Sequence, residues 1–79
     1  MLTAGAMAKS LNFPAVGTDG AAHSVVAFSP ADRFLDDEGR PLRGLVLRSG
    51  DCLLRWLRYG EYEVSDTREH LYALSDVGV

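Results

Sequence analysis

Apolar and polar positions are patterned most regularly between Leu45 and Val64, where two glycine-marked turns divide the chain into three short runs. Leu45-Val46-Leu47-Arg48 leads into a turn at Ser49-Gly50-Asp51. Cys52-Leu53-Leu54-Arg55-Trp56-Leu57-Arg58 follows and ends at Tyr59-Gly60. Glu61-Tyr62-Glu63-Val64 alternates strictly, so Tyr62 and Val64 face one way and both glutamates the other. Strands of about five to six residues joined by short loops have this rhythm, and the stretch predicts a β-meander. A helix competes for the middle run, because Leu53, Leu54 and Leu57 also fit helical spacing. Only nine residues separate Gly50 from Gly60, fewer than the ~12–15 an independent helix requires. Length selects the strand.

A two-residue loop at Tyr59-Gly60 sets Arg58 opposite Glu61, Leu57 opposite Tyr62, Trp56 opposite Glu63 and Arg55 opposite Val64. Leu57, Tyr62 and Val64 then share a buried face, and Arg58 pairs with Glu61 on the wet one. Arg55 falls on the apolar side, a mismatch that a longer loop or a β-bulge repairs.

Upstream, residues 1–10 lack alternation and read as a disordered tail, with Met7 an alternative start. Leu11–Val16 is a candidate strand whose Pro14 marks an edge or entry position. Gly17-Thr18-Asp19-Gly20 is a turn, expected as type I′ from its Asp-Gly pair. His23–Phe28 is a second strand, with Val25 and His23 on one face and Val26 and Phe28 on the other. Ser29-Pro30-Ala31-Asp32 has helix-start chemistry, so a short helical turn is expected over Pro30–Asp37. Arg40-Pro41 leads to a third strand near Leu42. Downstream, Asp66 and Glu69 have capping-box spacing, yet Thr67–Leu74 is preferred as a last strand because closure hides sheet edges. Ser75–Val79 is expected to fray. The fold class is all-β: a small open barrel or roll of five to six antiparallel strands, one domain over residues 11–75.

Composition narrows the functional classes. Seventy-nine residues make a domain that buries only about 60% of its unfolded surface. Such a core supplies at most ~3–5 kcal/mol without staples. One cysteine forbids an internal disulfide and, with two histidines, argues against structural zinc. The lone thiol suits a reducing, cytoplasmic setting. A net charge of −3 disfavours general attraction to nucleic acid or anionic lipid. No apolar run reaches the ~20 residues that span a bilayer.

From Thr18 to Leu74 the chain resembles a set of small proteobacterial proteins of no assigned function. The matching residues are Asp19-Gly20, Gly44-Leu45, Ser49-Gly50-Asp51, Tyr62-Glu63-Val64 and Thr67. They are turn and core residues, so the resemblance implies a compact bacterial β-domain and brings no catalytic residue. In such proteins the segment equivalent to Cys52–Tyr59 is more polar, which marks the Leu-Arg-Trp-Leu-Arg run as a departure.

Candidate chemistry is sparse. His23, with Asp19 or Asp51 as orienting carboxylate, lacks a nucleophile motif beside it, and His70 fares no better. Cys52 near Arg48 or Arg55 reads as a small strand hydrophobe before it reads as a reactive thiol. Asp36-Asp37-Glu38-Gly39 lacks the alternating ligands and distal glutamate of a calcium loop. The cluster Leu54, Arg55, Trp56, Arg58 and Tyr59, with Arg48 beside it, is richest in residue types that dominate binding hot spots. It has two readings: Trp56 belongs to the core while the arginines pair with Glu61 and Glu63, or the indole faces outward as a contact.

The sequence therefore predicts a non-enzymatic binding module with no cofactor or metal. Its partner is another protein or a second copy, met through the Leu53–Tyr59 strand. Single-stranded nucleic acid, held by stacking and arginine contacts, is the alternative.

Overall fold

Six antiparallel strands follow one another around a closed barrel: β1 (Lys9–Gly17), β2 (Ala22–Ser29), β3 (Val46–Ser49), β4 (Cys52–Arg58), β5 (Glu61–Val64) and β6 (His70–Ala73). The computed structural model describes residues 8–74 and 78–79. Each strand pairs with its neighbour in sequence, and Ala15, Val16 and Gly17 of β1 meet Ala73, Tyr72 and Leu71 of β6 to close the ring. The architecture is all-β, with no helix among the described residues. Ring closure leaves no free edge among the described strands, which resolves the exposure a bare meander would carry.

Alternation places every second side chain inside. Phe13 and Ala15, Val25 and Ala27, Leu47, Leu54, Tyr62 and Val64, and Leu71 form one interior cluster, joined by Val79. Tyr62, Leu71 and Val25 are its largest fully enclosed side chains. Each contributes on the order of 1.5–3 kcal/mol by leaving water. Ala15 and Ala27 keep the narrow lumen from overfilling.

The turns show how local chemistry sets the register. At β1–β2, Gly17 N–H donates to the Ala21 carbonyl and Gly20 N–H to the Gly17 carbonyl. Gly20 takes φ +83°, but Asp19 is not among the positive-φ residues. The expected type I′ turn is thus replaced by a type I turn followed by a left-handed glycine, the usual three-residue hairpin loop. Asp19 Oδ1 accepts the Ala21 N–H at 2.9 Å and favours this form. At β3–β4, Ser49 pairs with Cys52 around Gly50-Asp51. Gly50 at φ +59° occupies the first central position of a type II′ turn.

The β4–β5 register differs from the simple two-residue hairpin. Arg58 does lie opposite Glu61, but Trp56 faces Tyr62, Arg55 faces Glu63 and Leu54 faces Val64. A β-bulge between Trp56 and Arg58 absorbs Leu57 as the extra residue. One inserted residue returns Arg55 to the outer face and turns Leu54 and Trp56 inward.

Residues 30–45 form a loop, and the helical turn expected over Pro30–Asp37 is absent. Ser29 Oγ accepts the Ala31 N–H at 3.2 Å and donates to the Arg33 carbonyl at 2.6 Å, spending its capping capacity on a local turn. Asp36 then accepts the N–H groups of Glu38 and Arg40, both at 2.9 Å, and reverses the chain so that Leu35 bridges Pro41. Leu42 N–H is taken by the Phe34 carbonyl, so β3 begins at Val46 rather than near Leu42. The Arg40 N–H, more than any other group, holds the Asp36 carboxyl below its ordinary value of 3.8. A depressed folded pKa means that the turn's stabilisation is present above the ordinary value and lost as pH falls through the folded one. NMR titration of the Asp36 carboxyl is expected to give a midpoint below 3.8. In Asp36→Ala the Glu38 and Arg40 amides are expected to exchange faster with solvent above pH ~4, with the difference from the parent shrinking as pH falls through the folded Asp36 pKa.

Both predicted ends are corrected where they are described. β1 begins at Lys9, inside the expected tail. Val79 is buried: its N–H donates to Tyr62 Oη at 3.0 Å, its carbonyl accepts from Tyr62 Oη at 2.6 Å, and Gly60 N–H reaches the same carbonyl at 3.0 Å. The frayed end predicted over Ser75–Val79 therefore fails at its last residue, while Ser75, Asp76 and Val77 lie outside the described residues, as do residues 1–7.

Candidate recognition surface

The predicted contact residues divide between the two faces of β4. Leu54, 8% exposed, lies in the interior cluster, and Trp56 packs against that cluster from the same face. Arg55, Arg58 and Tyr59 are exposed. Leu54 is therefore removed from the contact surface, and Trp56 is a half-buried core neighbour rather than an outward indole. Its Nε1 is buried without a hydrogen-bond partner, a cost on the order of 1–3 kcal/mol. The bulge at Leu57 decides this inversion.

The outward arginines are tied down by the glutamates of β5. Arg55 Nη2 lies 2.8 Å from Glu63 Oε1 and Arg58 Nε 3.1 Å from Glu61 Oε1. His70 on β6 sits between the carboxylates, with Nδ1 3.0 Å from Glu61 Oε2 and Nε2 3.7 Å from Glu63 Oε2. The arginine and histidine side chains cover Glu63, whose side chain is only 12% exposed. This ladder clamps three strands together, and it matches the reading in which the arginines pair with Glu61 and Glu63.

Three large apolar side chains remain on the outer face next to this ladder. Phe28 on β2 is 52% exposed and faces Val46 on β3, 40% exposed; Leu53 on β4 is 54% exposed. Arg48 stands between Val26 and Leu53 in the cross-strand row. Its guanidinium has no ion-pair partner among the described residues, whereas Arg33, Arg40, Arg55 and Arg58 each have one. Sequence reading missed Phe28 and Val46. The strict alternation of β2 already put Phe28 outside, and only the cross-strand register set it beside Val46.

A groove of about 350 Å³ opens where β3 stops short, lined by Leu45, Val46, Leu53, Leu54, Arg55 and Ser65 among others. β3 pairs with only Cys52, Leu53 and Leu54 of β4. Antiparallel alternation aims the Trp56 peptide group at the same side as that of Leu54. The position opposite Trp56 belongs to Leu45, whose N–H has turned to the Leu42 carbonyl. A second hollow of about 180 Å³ adjoins the first and is lined by Arg55, Glu63, Ser65 and Arg68.

The earlier catalytic candidates stay apart from these hollows. His23 Nδ1 lies 3.4 Å from Ser49 Oγ on the inner face, and its Nε2 is buried without a partner. Neither hollow is lined by His23 or Cys52. The described residues contain no group of three or more His, Cys, Asp or Glu placed to hold a metal ion, and no helix among them is long and apolar enough to cross a membrane.

The chain matches no protein-family model, no curated protein and no solved structure.

Proposed function

We propose that the protein is a non-enzymatic bacterial binding module, working in the cytoplasm, that docks another protein on the outer face of β2, β3 and β4. The observation that carries this is the cluster of Phe28, Val46 and Leu53, exposed together beside an apolar groove. Contiguous outer apolar side chains of this kind mark interaction sites. Arg55, Arg58 and Tyr59 keep the contact role read from the sequence, with Arg48 beside them, and Leu53, Phe28 and Val46 join them.

Charge favours a different protein over a second copy. A two-fold dimer through this face is self-complementary, so it adds a second unpaired Arg48 to the same interface. A partner carrying carboxylates satisfies Arg48 and leaves the apolar contacts intact. The nucleic-acid alternative loses its stacking residue, since Trp56 packs inward, and the net charge of −3 works against phosphate.

A photo-crosslinking side chain at position 53, with position 24 on the outer face of β2 as control, tests the reading in native cells. A discrete protein adduct from position 53, absent from position 24 and lost in Arg48→Glu, is the expected result. An adduct with the mass of a second copy moves the reading to self-association. No adduct above the control level removes it.

A further inference from the structure

The two hollows share Arg55 and Ser65 as lining residues and so adjoin at the Arg55 side chain, the first reaching down to the interior Leu47 and Leu54. The first is also walled by Leu45, Val46 and Leu53. The other is lined by Arg68 and Ser65 with the Arg55–Glu63 pair. Between them stands Arg55, held at 2.8 Å by Glu63 Oε1, so that carboxylate is already compensated.

Arg68 is placed by an unusual backbone. It is the sole non-glycine described with positive φ, at +67°, a conformation costing about 1–2 kcal/mol for a residue with a side chain. Its N–H donates to the Val64 carbonyl at 2.8 Å, and Val64 N–H donates to the Glu69 carbonyl at 2.8 Å. A β5–β6 loop needing only a left-handed residue would take glycine or asparagine there. Among the described residues the Arg68 guanidinium has no ion pair and the Ser65 hydroxyl no hydrogen bond. The polar end thus offers one unpaired guanidinium, Arg68, and a hydroxyl donor beside the neutralised Arg55–Glu63 pair and an apolar wall.

The geometry points to a binding site for the C-terminus of a partner protein that ends in an apolar residue. This rests on the protein-docking reading above and specifies its occupant. A chain terminus carries a carboxylate and a side chain on the same carbon, so the two groups diverge as the two hollows do. The carboxylate lies between Arg68 and Arg55 with the Ser65 hydroxyl donating to it, and the last side chain packs on Val46 and Leu53. Arginine suits carboxylate through paired N–H donors. By alternation the Trp56 peptide group points to the groove side of β4, the side on which strand addition would place an extended peptide.

The test is a ¹⁵N NMR titration of the full chain with three probes: an N-acetylated alanine-rich pentapeptide ending in leucine with a free carboxylate, the same peptide as its C-terminal amide, and octanoate. Saturable shifts at residues 53–55 and 65–68 are expected with the acid, and at least tenfold weaker binding with the amide. Arg68→Gln is expected to weaken the acid to the level of the amide, while Arg43→Gln, outside both hollows, leaves it unchanged. Unchanged strand resonances in Arg68→Gln separate lost recognition from lost folding. Equal binding of acid and amide overturns the inference and leaves apolar docking standing. Octanoate binding more tightly than the peptide overturns it in favour of a free acyl chain. No saturable shift with any probe also overturns it, while the adduct at position 53 judges the broader reading separately.

Discussion

Tyr62→Ala is expected to leave the domain unfolded at ambient temperature. The phenol is fully enclosed, its ring lies 5.8 Å from that of Phe13, and its hydroxyl both donates to and accepts from Val79. Truncating a buried aromatic costs about 3–5 kcal/mol, as much as a core of this size supplies. Val79 would also lose its anchor and expose one end of the barrel interior. Loss of amide dispersion in a two-dimensional NMR spectrum, with no cooperative urea transition, is the expected signature. A folded alanine variant would show that the interior does not depend on this ring.

Tyr62→Phe separates the ring from its hydroxyl. It leaves the Val79 N–H buried without that partner, a loss of about 1–3 kcal/mol, and it removes a titrating group. Burial, more than any other influence, pushes the Tyr62 hydroxyl above the usual phenol value of 10.0, while the Val79 contact pulls the other way. The folded pKa lies above the unfolded one, so this contribution is complete below about pH 10 and is lost as pH rises through the folded value. Urea midpoints should fall with pH in this alkaline window for the parent protein. They should fall less for Tyr62→Phe.

The second large effect separates adjacent residues. Leu54→Asp is expected to unfold the protein, because the lost leucine alone costs about 2–5 kcal/mol and an unpaired carboxylate would enter the interior. Leu53→Asp, one residue earlier on the open face, is expected to change stability by no more than about 0.5 kcal/mol. Circular dichroism melts of the two variants check this. Similar stability in both would mean that the β4 alternation, and with it the outer face, is misplaced.

That pair of variants also marks what can be read without coordinates. Glycine positions and alternation made β3, β4 and β5 visible, and the inward set Tyr62 and Val64 follows from period two alone. The choice of Thr67–Leu74 as strand over helix succeeded, since β6 occupies His70–Ala73, because a meander needs a partner for its open edges. The expected face of β4 was inverted. A simple hairpin count put Arg55 inside and left Trp56 outside, and only the bulge at Leu57 corrected both. The signal was present as the misfit of Arg55, whereas the position of the extra residue was not. Pro30–Asp37 misled for a related reason: Ser29 and Asp36 are equally good at capping a helix and at closing local turns.

The all-β class, a count of five to six antiparallel strands and the inward pair Tyr62 and Val64 were determined by the sequence, since they depend on alternation and turns within a few residues. The tertiary structure alone decided which face of β4 looks outward, that Val79 returns to Tyr62, and that Val46 and Leu53 line a hollow adjoining the one lined by Arg68, with Ser65 common to both. Those features depend on a single extra residue in one strand and on ring closure between β1 and β6. Contacts between residues far apart in the chain appear only once the sheet has closed.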